Sequence, residues 1–309
     1  MHKIKQLPED FYVRERLNLR FDKEGRYVYF LLRKKNLGTI EAINKLAKWL
    51  DIPGKSFGVA GLKDKRAITE QYISVYGVSE KRLENVRIEN ILIKVLGRGN
   101  ERIKTGDLDG NEFTIVIRDL VKERKLKCNK IINYFDEQRF GSNNANVGRS
   151  LVKGNFVEAC GLLGLDKRNA VNSLRSVDKR TLRFYVHSYQ SFLFNKAAKD
   201  ILKHDKKNID LPIIGFLTNF KSGKIKDIYG RIMIKEHITK ADFLIKALKE
   251  ISSEGSSRTL FVRVSDFRYK WLDDELNIGK KKVILNFSLP KGSYGTLVVR
   301  SLFSNAHKS

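Results

Sequence analysis

The chain has 309 residues, with 61 Lys plus Arg against 35 Asp plus Glu, a formal net charge of +26. Hydrophobic residues make up 41% and charged residues 31%, which excludes a disordered polyelectrolyte and allows one large domain or two ordinary ones. The two cysteines, Cys128 and Cys160, form no CxxC pair, and no run nears the roughly 20 apolar residues that span a bilayer, which sets aside a cysteine zinc site and a membrane-spanning helix.

Residues 26 to 33, RYVYFLLR, are rich in aromatic and aliphatic residues and predict a strand. Thr39 follows as an N-cap, and Ile40, Ile43, Leu46, Ala47 and Leu50 recur at helical spacing. Glu41 precedes Lys45 by four residues, the favourable order for a helix ion pair. Strand-like runs come next at Gln71 to Val75, Ile91 to Val95 and Phe113 to Ile117. Residues 97 to 111 carry several glycines and many charges, as loops and hairpins do.

From Leu126 to Phe135 the pattern predicts a helix, ending in a turn at residues 141 to 144. Two more helices are expected at Phe156 to Leu163 and Arg183 to Leu202. Residues 205 to 235 are punctuated by glycine and read as irregular. Thr239 with Asp242 three residues on resembles a capping box opening a helix through Ile251. Ser252 to Ser257, SSEGSS, has the composition of a linker. Strands are expected again at Thr259 to Val264, Val283 to Phe287 and Thr296 to Arg300. The order strand-rich, helix-rich, strand-rich suggests a sheet domain completed by the C-terminal segment, with a helical insertion.

The positive charge attracts polyanions through its long-range field and through counterion release, and nucleic acid is the polyanion it fits best. The lysines are spread along the chain, so charge alone does not choose between RNA and DNA. The N-terminal residues lack the apolar run of a signal peptide, and a cytoplasmic location is expected. There is no P-loop, HExxH or GxSxG, and the five histidines are scattered without metal-ligand spacing.

One segment carries chemistry: FGVAGLKDKRAITEQ, residues 57 to 71. Asp64 lies between Lys63 and Lys65, with Arg66 following. A carboxylate among cations is held as the anion and can act as nucleophile or base near phosphates. Read alone, the same pattern describes a charged surface turn.

The segment resembles the signature of the TruD family of tRNA pseudouridine synthases, Gly-x-Lys-Asp-x-x-Ala-x-Thr-x-Gln. Gly61, Lys63, Asp64, Ala67, Thr69 and Gln71 fill every fixed position. Further family signatures follow in order: Pro8-Glu9-Asp10-Phe11 preceded by Lys5; Lys34, Asn36 and Thr39; Gly106, Gly110-Asn111, Phe113 and Arg118; Asn133-Tyr134-Phe135 running into Gln138-Arg139-Phe140-Gly141; His187, Tyr189-Gln190-Ser191 and Phe194-Asn195; Leu289-Pro290, Gly292-Ser293-Tyr294 and Arg300. The resemblance spans residues 5 to 300. Two positions depart from it: Gly295 stands where the family usually has Ala, and Ser301 where it usually has Glu.

The resemblance implies an α/β (α+β) pseudouridine synthase fold on an antiparallel sheet, interrupted by a helix-rich TRUD domain. The catalytic domain would comprise residues 1–150 and 256–309, and the insertion residues 151–255. It implies isomerisation of uridine to pseudouridine in tRNA, at position 13 or secondarily position 35 of a precursor, with no cofactor, metal, membrane or obligate protein partner. Asp64 is carried over as the catalytic carboxylate and Lys5 as the cation paired with it. Phe135 is implied to stack on the target base and Asn133 to hydrogen-bond to the catalytic carboxylate or the substrate, while Phe11, Glu9, Lys63, Asn36, Gln138 and Arg139 shape either the pocket or the fold. The rival expectation is a non-catalytic RNA-binding or ribosome-assembly protein that keeps the fold.

Overall fold

The computed structural model describes residues 2–220 and 222–303. The chain divides into two compact units: one holds the residues through Ile131 and those from Arg263 on, and the other holds Ile132–Val262. In chain order the first segment contains β1 (Lys3–Ile4), β2 (Phe11–Arg16), β3 (Tyr27–Lys35), α1 (Thr39–Leu50), β4 (Phe57–Val59), β5 (Ile68–Tyr76), α2 (Glu80–Glu84), β6 (Ile91–Gly99) and β7 (Gly110–Leu120). After β8 (Lys130–Ile132) the second unit contributes α3 (Asn144–Val152), α4 (Phe156–Leu163), α5 (Ala170–Arg175), α6 (Lys179–Ile201), β9 (Asp210–Ile213), α7 (Gly223–Glu236) and β10 (Ser256–Thr259). Past β11 (Phe261–Arg263), the chain forms β12 (Ser265–Asp273), β13 (Lys281–Pro290) and α8 (Gly295–Phe303).

The first unit is built on a nine-stranded sheet in the order β12-β13-β7-β2-β5-β3-β6, with β1 added to β7 and β4 to β5. All pairs are antiparallel except β2 with β5, which aligns Tyr12 with Ile68 and Arg14 with Glu70. The α/β class and the antiparallel sheet expected from the resemblance are present. The buried face of α1, with Ala42, Ile43, Leu46 and Leu50, packs with Phe30, Leu32, Ile73 and Val75 of β3 and β5. Alternation along the strands supplies that face, since successive side chains point to opposite sides of a sheet.

A buried ion network pins three distant parts of this unit. Arg118 of β7 donates through Nε and Nη2 to the Asp10 carboxylate at 2.8 to 3.0 Å and through Nη1 to Asp274 at 2.9 Å. Asp10 ends a one-turn 3-10 helix, Pro8–Asp10, immediately before β2. The Asp274 carboxylate also accepts from the Asp119 and Leu276 N–H groups and from the Asn277 amide. Burial alone would raise the pKa of Asp274, but these hydrogen bonds outweigh it and pull the value down to about 2.

The second unit packs around α6, whose Leu182, Val186, Tyr189, Leu193, Phe194, Ala197 and Ala198 are buried in one cluster. Gly148 of α3 permits the close crossing of α3 on α6, because a Cβ there would run into the Tyr185 carbonyl. Residues 132–150 and 256–262 lie in this compact unit.

Several local expectations are corrected. Residues 126 to 135 form no helix; the segment is extended and includes β8. The segment 205 to 235 holds β9 and nearly all of the fourteen-residue helix α7, which buries Ile228 and Tyr229 and packs Ile225, Ile232 and Met233 beside them on the core of the second unit. Thr239 and Asp242 do form a capping box, but it opens a 3-10 turn, Lys240–Phe243. The presumed linker runs into β10, which pairs with β9. Residues 296 to 300 lie in α8, not in a strand; a short apolar run cannot be divided between strand and helix by periodicity. The N-cap of α1 is Gly38, and Glu41 pairs with Lys65 at 3.1 Å. No helix among the described residues is long and apolar enough to cross a membrane.

Candidate active site

Asp64 lies in the loop from β4 to β5, at the end of the sheet where β5 begins and β3 finishes. Lys34 and Lys35 of β3 stand opposite Thr69 and Ile68 of β5. The Asp64 side chain is 37% exposed, and its Oδ2 accepts from Lys5 Nζ at 2.8 Å. Lys5 is far less exposed, and its ammonium also sits 4.0 Å from the centre of the Phe11 ring. This contact is a cation–π interaction, which fixes the ammonium from its second side. Lys5 has φ +56°, a left-handed conformation seldom adopted outside glycine, so the backbone bends sharply where this side chain leaves it.

Phe11 is buried and meets Phe113 edge to face at 6.4 Å, while Phe113 stacks on Phe287 at 5.2 Å. An aromatic row thus runs from β13 through β7 to β2 and ends beneath the Lys5 ammonium. Phe11 supports the cation from below and is not open to a substrate.

The other expected pocket residues have separate engagements. Glu9 is exposed and binds Lys35 Nζ at 2.5 Å, and that ammonium holds its carboxyl below the usual range. Lys63 points inward, with Nζ 2.6 Å from Glu15 Oε1 in a pair that is almost fully buried. The second Glu15 oxygen accepts from the Tyr72 N–H at 3.0 Å.

Lys34 and Thr39 are motif positions, of which Thr39 is expected as an N-cap and Lys34 has no assigned task. Lys34 is fully buried, with Nζ donating to the Leu37 carbonyl at 2.5 Å and to the Asp64 carbonyl at 3.0 Å. Burial pushes its pKa down to about 8; the nearby Asp64 charge opposes that shift and Lys63 adds to it. The buried Thr39 hydroxyl accepts from the Lys63 N–H at 2.9 Å and donates to Gln71 Oε1 at 2.8 Å. Gln71 in turn donates to the Gly61 carbonyl at 3.3 Å.

Phe135 and Asn133 lie in the second unit. The Phe135 N–H and carbonyl are both held by the Asn195 side-chain amide, at 2.9 and 2.8 Å. Its partly buried ring meets Phe194 edge to face at 5.5 Å, and the Arg258 guanidinium lies 4.2 Å from its centre. Asn133 is buried; its amide donates to the Thr259 carbonyl at 3.1 Å and accepts from Arg258 at 2.6 Å. Asn133 therefore orients the guanidinium that covers Phe135. Arg258 has no counterpart in the sequence signatures and could be found only from the fold.

The chemistry available around Asp64 is that of a part-exposed carboxylate paired with a cation on a loop whose backbone is hydrogen-bonded to buried side chains. A family described as "tRNA pseudouridine synthase D (TruD)" matches residues 2–166 and 196–302. The chain is 29% identical to the "Probable tRNA pseudouridine synthase D" of Methanosarcina acetivorans, over 96% of this chain and 91% of that protein. It is also 29% identical to the "tRNA pseudouridine synthase D" of Aquifex aeolicus, over 99% of each. A crystal structure from Methanosarcina mazei, described as TruD, superposes with a TM-score of 0.74 at 25% identity and covers 97% of this chain and 92% of that one.

Proposed function

Since the chain belongs to the tRNA pseudouridine synthase D (TruD) family, we propose that Asp64 is the carboxylate with which it isomerises uridine to pseudouridine in tRNA. In this reaction the N1–C1′ bond breaks, C5 bonds to C1′, and the C5 proton leaves as N1 gains one. Reactant and product have the same atoms and oxidation state, so no co-reactant is consumed. The observation that carries the assignment is the Lys5–Asp64 pair, a part-exposed carboxylate oriented by one cation at 2.8 Å. Such a carboxylate can attack C1′ or remove the 2′ proton.

The target on this reading is the uridine at position 13, in the cytoplasm. Uracil must leave its helical stack for either route, and Phe135 supplies an aromatic face for it. Arg258 takes one face of that ring, so stacking uses the opposite one. Affinity comes from phosphate contacts by the basic surface.

The test is Asp64→Asn. The amide has nearly the shape of the carboxylate but is neither an anionic nucleophile nor a base. Chemical mapping of pseudouridine in tRNA should show no product, while tRNA binding stays close to wild type. Wild-type turnover by the Asn protein would remove the assignment.

A further inference from the structure

Asp64 belongs to a loop that has no regular structure of its own, yet three buried side chains grip its backbone. Lys34 Nζ bonds the Asp64 carbonyl and ties it to the Leu37 carbonyl. The Thr39 hydroxyl takes the Lys63 N–H, and Gln71, bonded to that hydroxyl, takes the Gly61 carbonyl. The anchors sit on β3, the first turn of α1 and β5, all parts of the packed core of the first unit. They leave the carboxylate itself to Lys5.

We propose that Lys34, Thr39 and Gln71 are positioning residues that clamp residues 61–64 so that the Asp64 carboxylate is held in reacting geometry. The inference rests on the reading of Asp64 as the catalytic group. None of the three touches the carboxylate; each acts on the main chain that carries it. A buried ammonium is costly, and Lys34 offsets that cost with bonds to two carbonyls and the charge of Asp64 nearby. A misplacement of about 1 Å in a reacting group can cost on the order of a hundredfold in rate.

Two substitutions loosen the clamp from different sides. Thr39→Val keeps the shape of the side chain and removes the hydroxyl, leaving the Lys63 N–H and Gln71 Oε1 unpaired. Lys34→Met keeps the length and removes the donor. The measurement is single-turnover conversion of a uridine-containing tRNA transcript with enzyme in excess, beside the dissociation constant for the same transcript. Both variants should slow the bound reaction by about ten- to a hundredfold while the dissociation constant moves less than about twofold. Thr39→Ser, which keeps the hydroxyl, should restore most of the rate lost in Thr39→Val. A role in stability alone would lower the melting point and leave the rate per folded, tRNA-bound molecule unchanged, and that result in Thr39→Val overturns the proposal even if Lys34→Met does not fold. Asp64→Asn, assayed in parallel, separates the two readings. An inactive Asn protein beside a fully active Thr39→Val protein removes the clamp only, whereas an active Asn protein removes the assignment on which the clamp rests.

Discussion

The Lys5 ammonium stands 2.8 Å from the Asp64 carboxylate although 59 residues separate the two in sequence. The fold brings them together through the pairing of β1 with β7 and the placement of the Asp64 loop before β5. Lys5→Met keeps an apolar stem over Phe11 and removes the charge. The rate on bound tRNA should fall at least about tenfold, or about 1.4 kcal/mol of barrier, with little change in melting. A variant as fast as wild type would show that the ion pair has no part in the reaction.

Phe135 has packing contacts as well as a candidate stacking role. Its edge-to-face contact with Phe194 and its cation–π contact with Arg258 together contribute on the order of 1–3 kcal/mol. Phe135→Ala should therefore lower both the melting point and the reaction rate. Phe135→Tyr retains the ring and should keep most of both. An Ala protein that melts lower but reacts at full speed per folded molecule would leave Phe135 with packing alone.

Lys34 gives stability a specific pH dependence. Its pKa is about 8 in the folded chain against an ordinary value of 10.5. Between those values the unfolded chain binds the proton and the folded chain does not, so stability rises with pH across that window. Below pH 8 both states carry the proton and this contribution is constant. Urea midpoints of wild type minus Lys34→Met should be level up to about pH 8 and then climb. A difference that stays level to pH 10.5 would contradict the buried, destabilised cation.

Gly295 explains one departure from the family pattern. A methyl group placed there would lie 2.7 Å from the Phe113 ring and 3.2 Å from Ile115. Gly295→Ala should cost about 1–3 kcal/mol through overpacking, read as a lower denaturant midpoint. Phe113 lies against Phe11, so the same substitution should disturb the support under Lys5. A midpoint equal to wild type would mean that the Phe113 ring moves aside freely.

With a net charge of +26, tRNA affinity should fall log-linearly with salt, at a slope of roughly −0.7 to −0.9 per phosphate neutralised. A flat response between low and moderate salt would argue against phosphate contacts as the source of affinity.

The parts that were legible in the sequence are those with a repeating pattern or an uninterrupted motif. The apolar spacing of α1 and the β-rich runs of β3, β5 and β7 all reappear as elements. Asp64 and Lys5 come from distant motifs and meet in the structure. The misses have physical causes. Leu297, Val298 and Val299 form a short apolar run that fits either period. In α7 Ile225, Ile228, Tyr229, Ile232 and Met233 do recur at helical spacing, but Gly223 and Gly230 in the same stretch read as breaks. Arg258 acquires its place over Phe135 only when Asn133 and β10 come together. Lys63 looked like a surface charge beside Asp64 but is turned inward by Glu15, a partner 48 residues away.

The strand order has a consequence for a chain still being synthesised. β7 lies between β2 and β13, yet β13 emerges only after the whole of the second unit. Until then the eleven residues of β7 present one unpaired row of backbone donors and acceptors, a template for pairing with another chain. Phe113 also lacks the stacking partner Phe287 of β13 at the same stage. A nascent chain stopped before Arg263 is accordingly the form of this protein most exposed to aggregation, and the one that gains most from a chaperone holding that strand.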